Sequence, residues 1–244
     1  AVAALKKRVF ANYERTVRSV VDVIKPGVRI FHNGGHIPRG RRDLLAANTH
    51  LELESLPTAF WGYDHFPLSI RYAQGLGYDC LGMTGKFHTW WGEFGGFKHP
   101  NALRYEAAYC LANGARCSIG DQLHPYGSMD EATYALIGEA YKEVELKEAW
   151  CANSRNIADV ALLSLESVGI HHSGEMQAGN TADSDAGAVR ILLEGKLLFD
   201  VIDLESDFSR YKVIILPDRV VVSERLLEQL TAYMNSGGKI LASG

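Results

Sequence analysis

The sequence predicts an α/β protein built on parallel sheets, and three observations carry that prediction. Short apolar strands alternate with helices along most of the chain. Polar and aromatic residues gather directly after each of the first strands. Beyond about residue 155 the alternation continues in a different texture, that of a doubly wound, flavodoxin-like domain. Strands that alternate with helices pair in parallel through right-handed crossovers, and such sheets bind ligands at the carboxyl ends of their strands.

The elements follow in order. Residues 5–24 read as an amphipathic helix, with Val9, Tyr13, Val17, Val20 and Ile24 at helical spacing. Lys25-Pro26-Gly27 ends it, and Val28–His32 reads as a short apolar strand running into the turn Asn33-Gly34-Gly35-His36. An Arg-rich loop leads to Thr49–Ser55, where Glu52 and Glu54 alternate with Leu51 and Leu53, the period of a strand with one polar face. A helix over 66–76 precedes a strand over Tyr78–Thr84. Pro100 and Asn101 open a helix that Asn113-Gly114 closes, and Arg116–Ile119 is the next strand. A long helix over 130–150 starts at Ser128 or Asp130 as cap. Farther on, the pattern gives a strand over Ile157–Leu165, a polar loop over 168–183, a helix over Ala186–Phe199, a strand over Val213–Pro217, a helix over Glu224–Ser236 and a strand over Lys239–Ala242. Four strands before residue 150 make either a small open sheet or half of an eight-stranded barrel.

Composition narrows the function classes. With 244 residues, 47% hydrophobic and 22% charged, the chain can bury a core without disulfides or a metal. The net charge of −4 argues against nucleic acid or an anionic membrane as partner. Arg39, Arg41 and Arg42 form the one basic cluster, read as a solvated loop. The four cysteines, Cys80, Cys110, Cys117 and Cys151, form no CxxC pair. They read as reduced, which favours the cytoplasm. No apolar run of membrane-spanning length exists. No dinucleotide fingerprint, P-loop or nucleophile elbow appears, and the adjacent His171-His172 reads as loop rather than as a metal site.

Each presumed strand delivers sugar-type ligands to one face: His32, Asn33 and His36; Glu52 and Glu54; Lys86, His88, Trp90, Trp91 and Glu93; Asp121, Gln122 and His124. Glycoside chemistry needs one carboxyl group to protonate the leaving oxygen and another to attack or stabilise the anomeric carbon. Aromatic faces suit the apolar side of a sugar ring, and short polar side chains suit its hydroxyls. Glu54, nearest the strand's carboxyl end, is the first candidate for acid/base or stabilising work, and Glu93 the second. Lys86, His88 and Asp121 are expected to hold hydroxyls, with Trp90 or Trp91 stacked on a ring. The plainer readings are a polar strand face for Glu52 and Glu54, a loop-ordering hydrogen bond for Glu93, and a loop-ordering ring for His124. No metal or cofactor is expected.

The stretch Arg29–Asn33, then Thr49–Pro57 with Trp61–Pro67, resembles strands five and six of the family 42 β-galactosidases. Met83–Gly96 and Ala112–Pro125 are then similar to strands seven and eight. The segment from about 155 resembles the β-galactosidase trimerisation domain, which has a class I amidotransferase-like fold. Lys86–Gly95 and Ser118–Pro125 are similar to stretches of bacterial glycosyl hydrolases of the α-L-fucosidase-like type. The resemblance implies a glycoside hydrolase acting on a galactoside or fucoside. It implies the C-terminal half of a (β/α)8 barrel over residues 1–152, followed by a partial flavodoxin-like, amidotransferase-like domain over 153–244. It also implies a carbohydrate substrate, a homo-oligomer and a missing N-terminal barrel half. The family's acid/base Glu, after strand four, then falls before Ala1. At the end of strand seven, where the family has its nucleophile, this sequence has Thr84, Gly85 and Lys86. No Cys stands at an elbow of the second domain, so glutaminase chemistry is not implied. The competing expectation is a non-catalytic carbohydrate-binding or oligomerisation module.

Overall fold

The computed structural model describes residues 2–33, 36–173 and 182–244. It is an α/β structure with two sheets, and the chain divides into two compact units: Ala1–Leu51 with Ile157–Gly244, and Glu52–Asn156.

The 52–156 unit carries the three-stranded sheet, ordered β1 (Leu51–Glu54), β2 (Cys80–Gly85), β3 (Arg116–Gly120). β2 and β3 are parallel, with Gly82 opposite Cys117 and Gly85 opposite Gly120. The alternation in β1 is realised as expected: Leu51 and Leu53 are buried, while Glu52 and Glu54 are half-buried on the opposite side. Between β1 and β2 lie a distorted turn, Pro57–Trp61, and helix α2 (His65–Gly75); after β2 comes α3 (Pro100–Ala112) and after β3 α4 (Glu131–Cys151). Proline suits the first turn of α3, because the N–H it lacks would be unsatisfied there. The ring of His99 caps that helix by accepting from Asn101 N, and Asp130 caps α4 by accepting from Ala132 N. Leu103, Ala107 and Leu111 of α3 pack against Ala140 and Val144 of α4. Gly82 is required where it stands, since a Cβ there would lie 2.5 Å from Cys110 Sγ and 2.9 Å from the Phe66 ring.

The other unit opens with α1 (Val2–Ile24), whose Val9, Phe10, Tyr13 and Val20 are exposed. The strand expected at Val28–His32 is absent. The segment is joined to residues 48–49 by a backbone bond, Thr49 N to Ile30 O at 2.8 Å, and by bonds from Ile30 N to Thr49 Oγ1 and from His32 N to Asn48 Oδ1. A strand needs a repeating ladder, and side chains that take over the backbone's partners interrupt it. Gly34 and Gly35 lie outside the described residues.

The remainder builds a four-stranded parallel sheet in the order β5-β4-β6-β7, where β4 is Val160–Leu163, β5 Phe199–Ile202, β6 Val213–Leu216 and β7 Lys239–Ala242. Two expectations change here. The loop placed at 168–183 is helix α5 (Leu165–Ser173) in its first part, residues 174–181 lie outside the described residues, and α6 (Ala182–Glu194) follows. The helix read as far as Phe199 ends at Glu194, and Phe199–Ile202 is an unforeseen strand, paired in parallel with β4 at one end of the strand order. Gly195 and Lys196, the latter with φ +55°, turn the chain between them. Helix α7 (Glu224–Asn235) lays Leu226, Leu230 and Tyr233 into the core with Ala161, Leu163, Ile202 and Ile214. Its cap is Ser223, accepting from Leu226 N.

Two members of the basic cluster, Arg39 and Arg42, are engaged by distant acidic residues, while Arg41 makes an exposed local pair with Asp43. Arg39 is 3% exposed, and its guanidinium donates from Nε to Ser164 Oγ at 3.0 Å and pairs with Glu166 at 2.6 Å. Arg42 donates twice to Asp203, at 2.8 and 2.7 Å. Arginine's planar fork suits such two-point recognition of carboxylates.

Candidate functional site

In the 52–156 unit, strand β1 and the loops after β2 and β3 carry ten of the thirteen predicted site residues. Glu52 and Glu54 share one side of β1. Partial burial raises the carboxyl pKa of Glu52, and the negative charge of Glu54 raises it further.

The loop after β2 is tied at both ends. Lys86 N donates to Gly120 O at 3.0 Å, and Lys98 N donates to Lys86 O at 2.8 Å, closing residues 86–98 onto the sheet. Lys86 is buried. Its ammonium donates to Phe94 O at 2.8 Å and lies 4.9 Å from the Phe97 ring centroid, so it orders the loop from beneath. Glu93 is engaged with its own loop: Thr89 N donates to Glu93 Oε2 at 2.6 Å. That bond to the charged form holds its pKa below the ordinary carboxylate value. Gly96 permits the arrangement, because a Cβ there would meet the Glu93 carboxyl carbon at 2.4 Å.

The two tryptophans part ways. Trp91 lies over the ends of β2 and β3, where a Cβ on Gly85 or Gly120 would approach its ring to 2.9 or 2.6 Å. Its Nε1 is buried with no hydrogen-bond partner among the described residues. Trp90 is 56% exposed and packs against the exposed ring of Phe60, from the loop after β1, at 5.1 Å. His88 is exposed, its Nδ1 3.2 Å from Thr89 Oγ1. After β3, Asp121 Oδ1 accepts from Gln122 N at 2.7 Å, and the Gln122 side chain is exposed near Gly92. His124 Nδ1 accepts from Tyr126 N at 3.3 Å, and the two rings stack.

His32, Asn33 and His36 belong to the other unit. His32 packs edge-on against Tyr13 at 5.5 Å, and its Nε2 is buried without a hydrogen-bond partner among the described residues. Asn33 is exposed. His36 Nε2 sits 3.0 Å from Glu166 Oε1.

A polar cluster beside the β2 loop escaped sequence reading. Lys98, 1% exposed, donates to Glu106 Oε2 at 2.7 Å and to Thr84 Oγ1 at 2.9 Å. Thr84 donates to the same Glu106 oxygen at 2.6 Å, and Tyr63 donates to Glu106 Oε1 at 3.1 Å. Burial, with Glu106 next to it, pushes the Tyr63 hydroxyl up to about 12. Burial lowers the Lys98 pKa, and Glu106 opposes that shift. The cluster borders a cleft of about 310 Å³ lined also by Phe66, Tyr105 and Tyr109. One signal was available: Glu106 stands on the helical stripe Leu103, Ala107, Cys110, all buried, and a carboxylate on such a stripe demands a partner.

Among the described residues no group of three or more His, Cys, Asp or Glu is arranged to hold a metal ion, and no helix is long and apolar enough to cross a membrane.

Comparison with known proteins gives the class first: the chain is related to the glycosidases. Residues 190–243 match the model of the β-galactosidase trimerisation domain. Across 99% of its length the chain is 64% identical to α-L-fucosidase isoenzyme 2 from Paenibacillus thiaminolyticus, with a TM-score of 0.92, and it spans 36% of that protein. A β-galactosidase from Rahnella sp. R3 is 18% identical over 82% of the chain, TM-score 0.66, with 33% of that enzyme spanned. A β-galactosidase from the haloarchaeon Halorubrum lacusprofundi is 19% identical over 99% of the chain, TM-score 0.69, with 41% spanned. At such identities these two likenesses show the fold alone. No curated protein matches the sequence.

Proposed function

We propose that this chain forms part of a glycoside hydrolase acting on a fucoside or galactoside. The observation that carries the reading is the 64% identity, over nearly the whole chain, to a protein described as an α-L-fucosidase. The fold reading that goes with it is the second half of a (β/α)8 barrel over residues 1–152, followed by a partial flavodoxin-like domain over 153–244. Parallel pairing in both sheets supports it, as does the order β5-β4-β6-β7, which is the first four strands of a doubly wound sheet.

In this reading the sugar lies at the carboxyl ends of β1, β2 and β3. Glu54 is the acid/base or stabilising carboxylate. Glu52, whose carboxyl pKa is raised by partial burial first and by the Glu54 charge second, lies on the same side of the strand as a substrate contact. Glu93, held anionic by Thr89, suits stabilisation or attack at the anomeric carbon better than proton donation. Trp90 presents an open aromatic face for a sugar ring, while Trp91 shapes the floor. Lys86 supports the loop, and His88, Asp121, Gln122 and His124 line it for hydroxyl contacts. Substitution Trp90→Ala tests the arrangement: it should raise KM for a susceptible nitrophenyl glycoside with the melting temperature unchanged. An unchanged KM removes Trp90 from the site.

A second reading, a non-catalytic carbohydrate-binding or oligomerisation module, draws on the trimerisation-domain match at residues 190–243. It predicts a homo-oligomer that hydrolyses no glycoside. Sedimentation together with activity separates the two readings.

A further inference from the structure

The carboxyl ends of β4 and β5 carry three acidic residues: Glu166 and Asp185 beside the end of β4, and Asp203 directly after β5. This is the edge at which open parallel α/β sheets bind their ligands. Here it is filled from within. Segment 36–42 of the same compact unit crosses it and delivers two guanidinium groups. Arg39 reaches Ser164 Oγ at 3.0 Å and Glu166 at 2.6 Å, with Asp185 at 3.7 Å. Ser164 in turn donates to Asp185 Oδ2 at 2.7 Å, and Leu165 N donates to Asp185 Oδ1 at 2.8 Å. Arg42 takes Asp203 through two bonds and Ser206 Oγ through a third at 3.0 Å. Asp185 and Ser164 are fully buried, so the crevice is built rather than incidental.

The backbone is shaped for the same contact. Gly40 has φ +82°, and a Cβ there would stand 2.9 Å from Ser167 Cα. Only glycine lets the segment lie against the start of α5.

We propose that this edge is a guanidinium-recognition site whose occupant is supplied in cis, Arg39 acting as the resident ligand and segment 36–42 as a strap that locks onto the four-stranded sheet. The site takes a planar cation with several donors. Lysine, a point charge with three rotatable donors, cannot reach Ser164 and Glu166 in the same fixed geometry. The edge is thereby committed to holding the strap and is closed to a diffusible substrate.

The test is chemical rescue. Arg39→Ala should lower the melting temperature and speed amide exchange at 36–42 and at Leu165. N-ethylguanidine should restore both in that variant and leave the wild type unchanged, because a ligand stabilises only the form whose site is open. Ethylammonium should not rescue. If Arg39→Ala does not fold, Arg39→Lys and Gly40→Ala serve in its place: each keeps a folded chain, and each should speed exchange over 36–42 by about tenfold or more. An equal shift by N-ethylguanidine in wild type and variant, rescue by ethylammonium, or unaltered exchange in Arg39→Lys and Gly40→Ala, overturns the proposal.

Discussion

The Lys98–Glu106 pair shows how a single residue governs this protein. The ammonium is almost wholly removed from water and meets Glu106 and Thr84 at hydrogen-bond distance. Removing one partner leaves the other charge buried alone, which costs about 3–5 kcal/mol, whereas replacing both by apolar groups of similar size is close to neutral. Lys98→Ala should therefore destabilise by about that amount in urea unfolding, and Lys98→Met with Glu106→Leu should recover most of it. Glu52 gives the opposite sign. Its folded pKa is raised, by burial first and Glu54 second, so the stability tied to its proton is present below the unfolded pKa and lost as pH rises through the folded one. Glu52→Gln should raise the unfolding midpoint at neutral pH and leave it nearly unchanged near pH 4, roughly the unperturbed glutamate value. Glu166 runs the other way again. Burial pushes its pKa up, but the His36 hydrogen bond and the Arg39 charge outweigh burial and hold it down, so its contribution is lost only as pH falls below the ordinary carboxylate range.

At the scale of elements, most of the fold was legible. The Leu-Glu-Leu-Glu alternation placed β1 and its half-buried carboxylates, and proline at the start with Asn-Gly at the end bounded α3 almost to the residue. The failures have physical causes. Val28–His32 has strand composition, but the Thr49 and Asn48 side chains take its polar groups, a tertiary fact that periodicity does not carry. Phe199–Ile202 was absorbed into a helix because a four-residue apolar run has no period of its own. Arg39 and Arg42 read as solvated because their acidic partners lie more than 120 residues away in sequence. The candidate site was legible as residue types after strands, but not as roles: that Lys86 and Glu93 turn inward to order their loop follows from bonds to Phe94 and Thr89. The loop's floor makes a prediction at this scale. Gly120→Ala forces a Cβ into the Trp91 ring, so it should cost about 1–3 kcal/mol and alter the tryptophan emission spectrum. An unchanged spectrum would mean that Trp91 is not seated on the glycine pair.

For the whole molecule, the chain spans 36% of the Paenibacillus protein and 33% of the Rahnella enzyme to which it is similar. The proposal that stands on this likeness is cleavage of a glycoside with Glu54 taking part. The most direct measurement is hydrolysis of a panel of nitrophenyl glycosides by the protein that carries this sequence and by its Glu54→Gln variant. The account predicts release of nitrophenol from a fucoside or galactoside, with kcat/KM falling by about 10²–10⁴-fold in the variant at an unchanged melting temperature. No hydrolysis of any glycoside, or an equal rate in the variant, would contradict it and leave the binding or assembly module as the better description.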